Sequence, residues 1–412
     1  MPTIQHSRQS SSFIYHRSVV AAAVIVTLIF LTAFLTHFID LKMRDRSGPT
    51  KGKICPGDWG DLMEWDIKID QPDEYLSFGT IQSGAPLWNF GAITEPTLNQ
   101  LLISSGLTAE QADKLLSKRI SDSSGNIMIR PDEETLLSIT AEVRSRLYAV
   151  LAANPSNRFQ VNPFYVTDED SKRLPAIHGT NNSDIEKLFA KLIYKRNGYN
   201  YFSDPEIVLG HIADASGRKE FIKKLTAQNS VQLKLRVGPD SDLSKITYYW
   251  SSTGTTHHKD IAPILEAEKQ LPEGGIISAL FLLPPLVREV LFTTPLSSVS
   301  TQGKLPDCHW TSLNFFADKP DARMSDEAFA SKYISNHYYP IGIPSIIGDL
   351  ALFVNVHNQV IHSAVYIADD VFFTKNGANI SVPWVLMREK NILGSYSYSD
   401  PLKVLYFRKS EE

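Results

Sequence analysis

A continuous apolar stretch near the N-terminus constrains this chain more than any other feature. Residues 18–39 read SVVAAAVIVTLIFLTAFLTHFI, 22 residues with no formal charge and with His37 as the one titratable side chain. As an α-helix the stretch would be about 33 Å long, enough to cross a hydrocarbon core of about 30 Å. A cleaved signal peptide, the alternative, has a shorter apolar region that ends at small residues. The stretch therefore predicts an uncleaved transmembrane helix.

The composition outside this stretch is that of an ordinary globular protein. Apolar residues make up 43% and charged residues 21% of the 412 residues, which allows two or three folded units of about 150 residues each. A formal net charge of −4 gives no basic surplus for a phosphate backbone, so no nucleic-acid partner is predicted. The expected organisation is a tail (1–17), a transmembrane anchor (18–39), a linker (40–54), a middle region (55–295) and a C-terminal domain (296–412).

The middle region mixes helix and strand patterns. Pro131 to Ala152 predicts one helix, because proline suits a first turn and apolar residues recur along one face. Val231 to Val237 alternates apolar and polar residues and predicts a half-buried strand, with Ile246 to Trp250 as a candidate partner strand. This region is α+β by pattern, and its sequence indicates no function.

The C-terminal region predicts a helix followed by a dense set of strands. Asp307 to Asp318 has the pattern of a helix opening near Cys308. Three later segments are rich in β-branched and aromatic residues: Leu350 to Val354, Val360 to Ala368 and Val371 to Thr374. The expected fold class for the whole chain is therefore α+β, with a cysteine-bearing helix packed on an antiparallel sheet at the C-terminal end.

Cys308 and His362 are the candidate nucleophile and base. A thiol attacks as its thiolate, which the start of a helix favours. His362 opens a predicted strand 54 residues after Cys308, and an imidazole there can take the thiol proton and return it to a leaving amine. These two residue types in this order predict covalent thiol chemistry on a peptide or amide bond.

These residues resemble the NlpC-type papain-like cysteine peptidases, which cut peptide links in bacterial cell-wall peptidoglycan. The chain has Asp-Cys at 307–308, Gly-Asp-Leu at 348–350 and His-Ser-Ala-Val-Tyr at 362–366, followed by an acidic turn at 369–370. The resemblance covers about residues 300–410. It implies a papain-like domain and a cell-wall peptide as the default substrate.

The resemblance also implies a third polar residue that orients the imidazole. Counting along the strand after the acidic turn arrives at Thr374, Lys375 or Asn376, of which Asn376 can act through its amide oxygen and Thr374 through its hydroxyl. After Asp307-Cys308 this chain has His309 and Trp310 where the family usually has Ser-Gly. Asp307, His309 and Trp310 are therefore the candidate substrate-binding residues, and His309 is also a competing charge partner for the thiol.

Cofactors and metals are not predicted. Cys55 and Cys308 are the two cysteines of the sequence, whereas a cysteine-rich zinc site needs paired spacing. Cys55 lacks the sequence context of Cys308 and is expected to be structural. The sequence has no glycine-rich nucleotide-binding motif on a strand-to-helix turn.

The expected function is a membrane-anchored thiol hydrolase with Cys308 and His362 in its site. Two alternatives remain: a catalytically inactive membrane-tethered binding module, and a thiol acyltransferase on the same fold. A cell-wall substrate requires the C-terminal part outside the cytoplasmic membrane. The excess of Lys and Arg after the apolar stretch favours the cytoplasmic side instead, so the predicted single-pass orientation rests on the site residues.

Overall fold

Four antiparallel sheets organise the part of the chain that the structure describes. The computed structural model describes residues 52–75, 81, 83–178, 180–251, 258–295 and 304–410. The sheets have the strand orders β1-β2-β9-β10, β3-β5-β4, β6-β8-β7 and β11-β16-β12-β13-β14-β15. The described chain is thus a mixed α/β structure in which the six-stranded sheet lies near the C-terminus.

The strands are β1 (Lys53–Gly57), β2 (Gly60–Ile69), β3 (Trp88–Ala92), β4 (Arg119–Ser121), β5 (Asn126–Ile129), β6 (Phe164–Tyr165), β7 (Tyr194–Arg196), β8 (Tyr199–Phe202), β9 (Gln228–Val237), β10 (Gly275–Ser278), β11 (Tyr338–Ile341), β12 (Leu350–Val354), β13 (Val360–Ala368), β14 (Val371–Lys375), β15 (Trp384–Arg388) and β16 (Lys403–Lys409).

The α-helices are α1 (Glu95–Ser104), α2 (Ala109–Leu116), α3 (Glu133–Ser138), α4 (Ala141–Leu151), α5 (Arg158–Val161), α6 (Asp168–Arg173), α7 (Asn182–Leu192), α8 (Pro205–Gly210), α9 (Ala215–Thr226), α10 (Leu243–Ser251), α11 (His258–Lys269), α12 (Pro285–Val290), α13 (Cys308–Leu313), α14 (Glu327–His337) and α15 (Glu389–Tyr396).

The lengths of these helices do not agree with the prediction of a single-pass membrane protein. Within the described residues, none is both long and apolar enough to cross a membrane. The longest, α9 and α11, have 12 residues each, which is about 18 Å of helix against a hydrocarbon core of about 30 Å. The predicted anchor at 18–39 lies outside the described residues. The described helices therefore do not support the predicted transmembrane anchor or the predicted single-pass location.

Two secondary-structure predictions for the middle region were wrong. Pro131 to Ala152 is two helices, because Ile139 is extended and the Thr140 side chain accepts a hydrogen bond from the Val143 N–H, which starts α4 anew. Ile246 to Trp250 lies in α10 rather than in a strand. The predicted strand Val231 to Val237 forms part of β9, which pairs with β2 and β10.

A buried acid in the middle region gives the protein a predictable pH dependence. Asp204 accepts hydrogen bonds from the Tyr148 hydroxyl at 2.8 and 2.9 Å. Burial raises the pKa of Asp204 to about 6, although Arg144 and the Tyr148 hydrogen bond act in the opposite direction. The folded state therefore keeps a proton that the unfolded state has lost between about pH 4 and pH 6.

We expect the free energy of unfolding to fall as the pH rises through this window, by about 3 kcal/mol from Asp204. Asp204→Asn keeps an acceptor for Tyr148 and removes the titration, so its unfolding free energy should vary less with pH. Urea unfolding of both proteins at several pH values measures the difference. Glu206, whose pKa is raised to about 7 by burial and also by the charge of Asp204, titrates in both proteins, and its own contribution should become smaller in the variant. Parallel pH profiles would contradict the assignment.

The six-stranded sheet is covered on both faces. Leu313 of α13 packs with Leu352 and Phe373 in one hydrophobic cluster. Ile392 of α15 packs with Ala364 in another. Because side chains alternate along a strand, neighbouring residues of β13 contact different helices. Successive residues of β13 therefore face α13 on one side of the sheet and α15 on the other.

Candidate active site

Cys308 is the first residue of the short helix α13. Asp307 caps this helix: its Oδ1 accepts a hydrogen bond from the Trp310 N–H at 2.8 Å. Cys308 is only 8% exposed, so its thiol lies below the surface. The predicted helix opening at Asp-Cys is present, but the helix ends at Leu313 after six residues.

The environment of Cys308 favours the neutral thiol. Burial, followed by the negative charge of Asp307, raises the pKa of Cys308 to about 11. Hydrogen bonds from the backbone and hydroxyl of Ser363 and from the backbone of His309 lower the thiol pKa, but by less. The expectation that the helix start would favour a thiolate is therefore not met, because the thiol is buried and a carboxylate already occupies the cap.

The pairing between β13 and β14 ends before either strand does. The two strands pair from Ala368↔Val371 to Val365↔Phe373, whereas β13 continues back to Val360 and β14 on to Lys375. In this opening the Thr374 hydroxyl donates a hydrogen bond to the Ser363 carbonyl at 3.1 Å. The Thr374 side chain thus occupies the Ser363 carbonyl, which would accept a backbone N–H of β14 if the pairing continued.

Thr374 also holds the candidate base. His362 Nε2 lies 2.7 Å from Thr374 Oγ1. Since the hydroxyl donates its hydrogen to Ser363, its oxygen accepts from the imidazole, which assigns the proton to Nε2. His362 Nδ1 then carries a lone pair, and this fully buried atom has no hydrogen-bond partner in the described residues.

His362 is neutral in this environment. Burial, and then the charge of His309, lowers the pKa of His362 to about 3. The ring of Tyr396 from α15 stacks on the imidazole, with centroids 4.3 Å apart and planes 23° apart. The Cys308 thiol and the His362 imidazole are therefore both uncharged at rest. A hydrogen bond between His362 and Cys308 is not formed, because Nε2 bonds Thr374 and Nδ1 has no partner.

Of the three residues considered for orienting the imidazole, Thr374 contacts it. Asn376 donates a hydrogen bond to Gln228 Oε1 at 2.9 Å and accepts one from the Tyr396 hydroxyl at 3.3 Å. The Lys375 ammonium donates to the carbonyls of Gly377 and Asn379 at 2.7 and 2.8 Å. Asn376 thus fixes Tyr396, the ring that covers His362, rather than His362 itself.

The two residues after Cys308 have different surroundings. His309 is half-buried, and its Nδ1 lies 3.0 Å from the Ser363 hydroxyl. Trp310 is 3% exposed and packs near Trp384, with ring centroids 6.3 Å apart. Trp310 is therefore part of the core under the site, whereas His309 lies at its edge.

Sequence reasoning missed Ser363 and Tyr396. The Ser363 hydroxyl bonds His309, its backbone and hydroxyl contact the Cys308 thiol, and its carbonyl accepts a hydrogen bond from Thr374. In the sequence, Ser363 is an ordinary residue within a predicted strand. Its position next to His362 was the available signal. Tyr396 is 34 residues from His362 on a separate helix, so no local pattern connects the two.

Comparisons with protein-family models, with curated proteins and with solved structures gave no match. The similarity to NlpC-type peptidases therefore rests on the residues of the C-terminal region, and the function that it implies stays a proposal.

Proposed function

We propose that this protein is a thiol hydrolase that cleaves a peptide or amide bond with Cys308 as nucleophile and His362 as base. The observation that carries the proposal is the state of His362: Thr374 fixes its Nε2, and its Nδ1 lone pair is buried and unpartnered. An orphaned buried acceptor costs about 1–3 kcal/mol, which a proton-accepting role would explain. The resemblance makes a cell-wall peptide the substrate to test first.

In the proposed reaction, the Cys308 sulfur forms a bond to the substrate carbonyl carbon as the thiol proton passes to His362 Nδ1. The imidazolium then gives this proton to the leaving amine, and the carbon–nitrogen bond breaks. Water hydrolyses the resulting thioester, with His362 again as the base, and releases the acid and the free thiol. Because the thiol and the imidazole are both neutral at rest, the thiol is deprotonated during the attack rather than before it.

A second candidate function is a binding module without catalysis. It is supported by the burial of both residues, since Cys308 is 8% and His362 0% exposed. Burial of this kind is also typical of a structural cysteine and a structural histidine. A thiol acyltransferase would use the same residues and differ only in the acceptor that attacks the thioester.

The first experiment is the release of new amino groups from purified peptidoglycan by the full chain. We expect Cys308→Ala to abolish the release, because the bond-forming sulfur is absent. Cys55→Ser is the matched control and should retain activity, since Cys55 lies on β1 and is not part of the site. Equal release by wild type and Cys308→Ala would contradict the proposal. Thioester transfer to an added amine, in place of hydrolysis, would identify the acyltransferase.

A further inference from the structure

A second cysteine lies beside two carboxylates, away from Cys308. Cys55 is on β1, and Glu64 lies diagonally opposite on β2, on the same face of that antiparallel pair. Asp369 comes from the turn between β13 and β14. One ligand atom from each of these three residues lies within 4.8 Å of the others.

The Glu64 carboxylate is only partly satisfied by the described residues. Its side chain is completely buried, and its Oε2 accepts a hydrogen bond from Arg388 at 2.8 Å. The other oxygen, Oε1, is buried and has no hydrogen-bond partner in the described part of the chain. A buried carboxylate oxygen without a partner is destabilising, and the polar groups nearest this carboxylate include the Cys55 thiol.

We propose that Cys55, Glu64 and Asp369 bind a zinc ion. A thiolate sulfur with two carboxylate oxygens is a donor set that zinc accepts, whereas magnesium and calcium prefer oxygen alone. Bond lengths of about 2.3 Å to sulfur and 2.0–2.2 Å to oxygen require the three donors to move inward by at most about 1 Å. Three protein ligands leave the fourth tetrahedral position for water.

Within the described residues, two cations face the cluster: Arg388 bonds Glu64 Oε2, and Lys53 pairs with Asp369. Lys53 is the exposed one. Its ammonium lies 3.5 Å from Asp369 Oδ2, and its side chain is 67% exposed. An exposed ion pair of this kind contributes little, so Lys53 can move into solvent when zinc binds. The Cys55 thiol gives its proton to water as the zinc–sulfur bond forms. The ion would then join the first strand pair to the turn of the six-stranded sheet.

The test is zinc binding by the untagged full chain after removal of metals with a chelator. We expect one zinc ion per chain and a higher thermal unfolding temperature when zinc alone is added, because an ion that binds only the folded state stabilises it. Loss of a residue that merely supports a zinc ligand already costs about 10–100-fold in affinity. Cys55→Ser should therefore weaken zinc binding by at least about tenfold.

Two further variants separate ligation from folding. Asp369→Asn keeps a residue type that tolerates the positive φ of 52° at this turn, and it should also weaken binding. Cys308→Ser should bind zinc as wild type does. Cobalt bound in place of zinc should give a thiolate charge-transfer absorption band. Of the three variants, Cys55→Ser is the one that should lose this band. Absence of zinc binding, binding unaffected by Cys55→Ser, or binding lost in Cys308→Ser instead would overturn the proposal.

Discussion

Replacement of His362 by alanine is expected to lower kcat/KM for peptide hydrolysis by about 10²- to 10⁴-fold, the usual contribution of a general acid and base. The thiol of Cys308 is neutral at rest, with its pKa raised by burial to about 11, so attack depends on proton removal by a neighbouring base. His362 Nδ1 is the buried lone pair available for this step. The measurement is the initial rate on a cell-wall peptide across a range of substrate concentrations.

Thr374 provides the test of how His362 is positioned. Thr374→Val removes the oxygen that accepts the Nε2 proton, and misorientation of the ring should cost about 10- to 100-fold in rate. Thr374→Ser restores the hydroxyl and should recover most of the activity, which a purely structural role would not predict. His357→Ala is the matched histidine control, because His357 is exposed in the turn between β12 and β13. Wild-type rates in both His362→Ala and Thr374→Val would contradict the assigned roles.

Replacement of Arg388 by methionine is expected to destabilise the fold by about 3–5 kcal/mol, the effect of removing one partner from a buried ion pair. Arg388 Nη1 donates to Glu64 at 2.8 Å and to Asp370 at 2.7 Å, and its Nε donates to Asp66 at 2.7 Å. Burial already raises the pKa of Glu64 against the effect of Arg388. Without the guanidinium, Glu64 becomes a buried acid with no compensating charge. Urea unfolding with a chelator present measures the loss without a contribution from metal.

The double variant Arg388→Met/Glu64→Gln tests the cause of this loss. Removing both charges should recover much of the stability, because the cost comes from the unpaired Glu64 rather than from the missing arginine side chain. Asp66→Asn should have a small effect, since its side chain is 53% exposed. A double variant as unstable as Arg388→Met alone would assign the effect to packing instead.

Local sequence patterns predicted the strands whose own residues alternate between apolar and polar or are rich in β-branched and aromatic side chains. Val231 to Val237 alternates and lies in β9, and the three C-terminal strands were located from their β-branched and aromatic residues. Helix boundaries were less predictable. The break at Ile139 depends on which side chains cap each end, and a continuous apolar face does not reveal it.

Ile246 to Trp250 shows how context changes the secondary structure of a short apolar segment. Five residues rich in aromatic and β-branched side chains suit a strand equally well. In the structure Asp242 Oδ1 accepts a hydrogen bond from the Lys245 N–H, which caps the helix. Ile246, Tyr249 and Trp250 then form its buried face. The capping residue lies outside the segment, so the segment alone could not decide between strand and helix.

By itself, the sequence predicted the order of the C-terminal elements and proposed Cys308 and His362, with Thr374 and Asn376 as alternatives for the third residue. Residue type, strand period and spacing are local properties. Tertiary structure alone decided the rest. It buried the thiol and the imidazole, both neutral. It also placed Thr374 rather than Asn376 against His362, in the opening between β13 and β14, and Tyr396 over the imidazole. It also brought Asp369 to Cys55 and Glu64, which lie more than 300 residues earlier in the chain. Burial and long-range contact determine pKa and ligand geometry, and neither is contained in a local pattern.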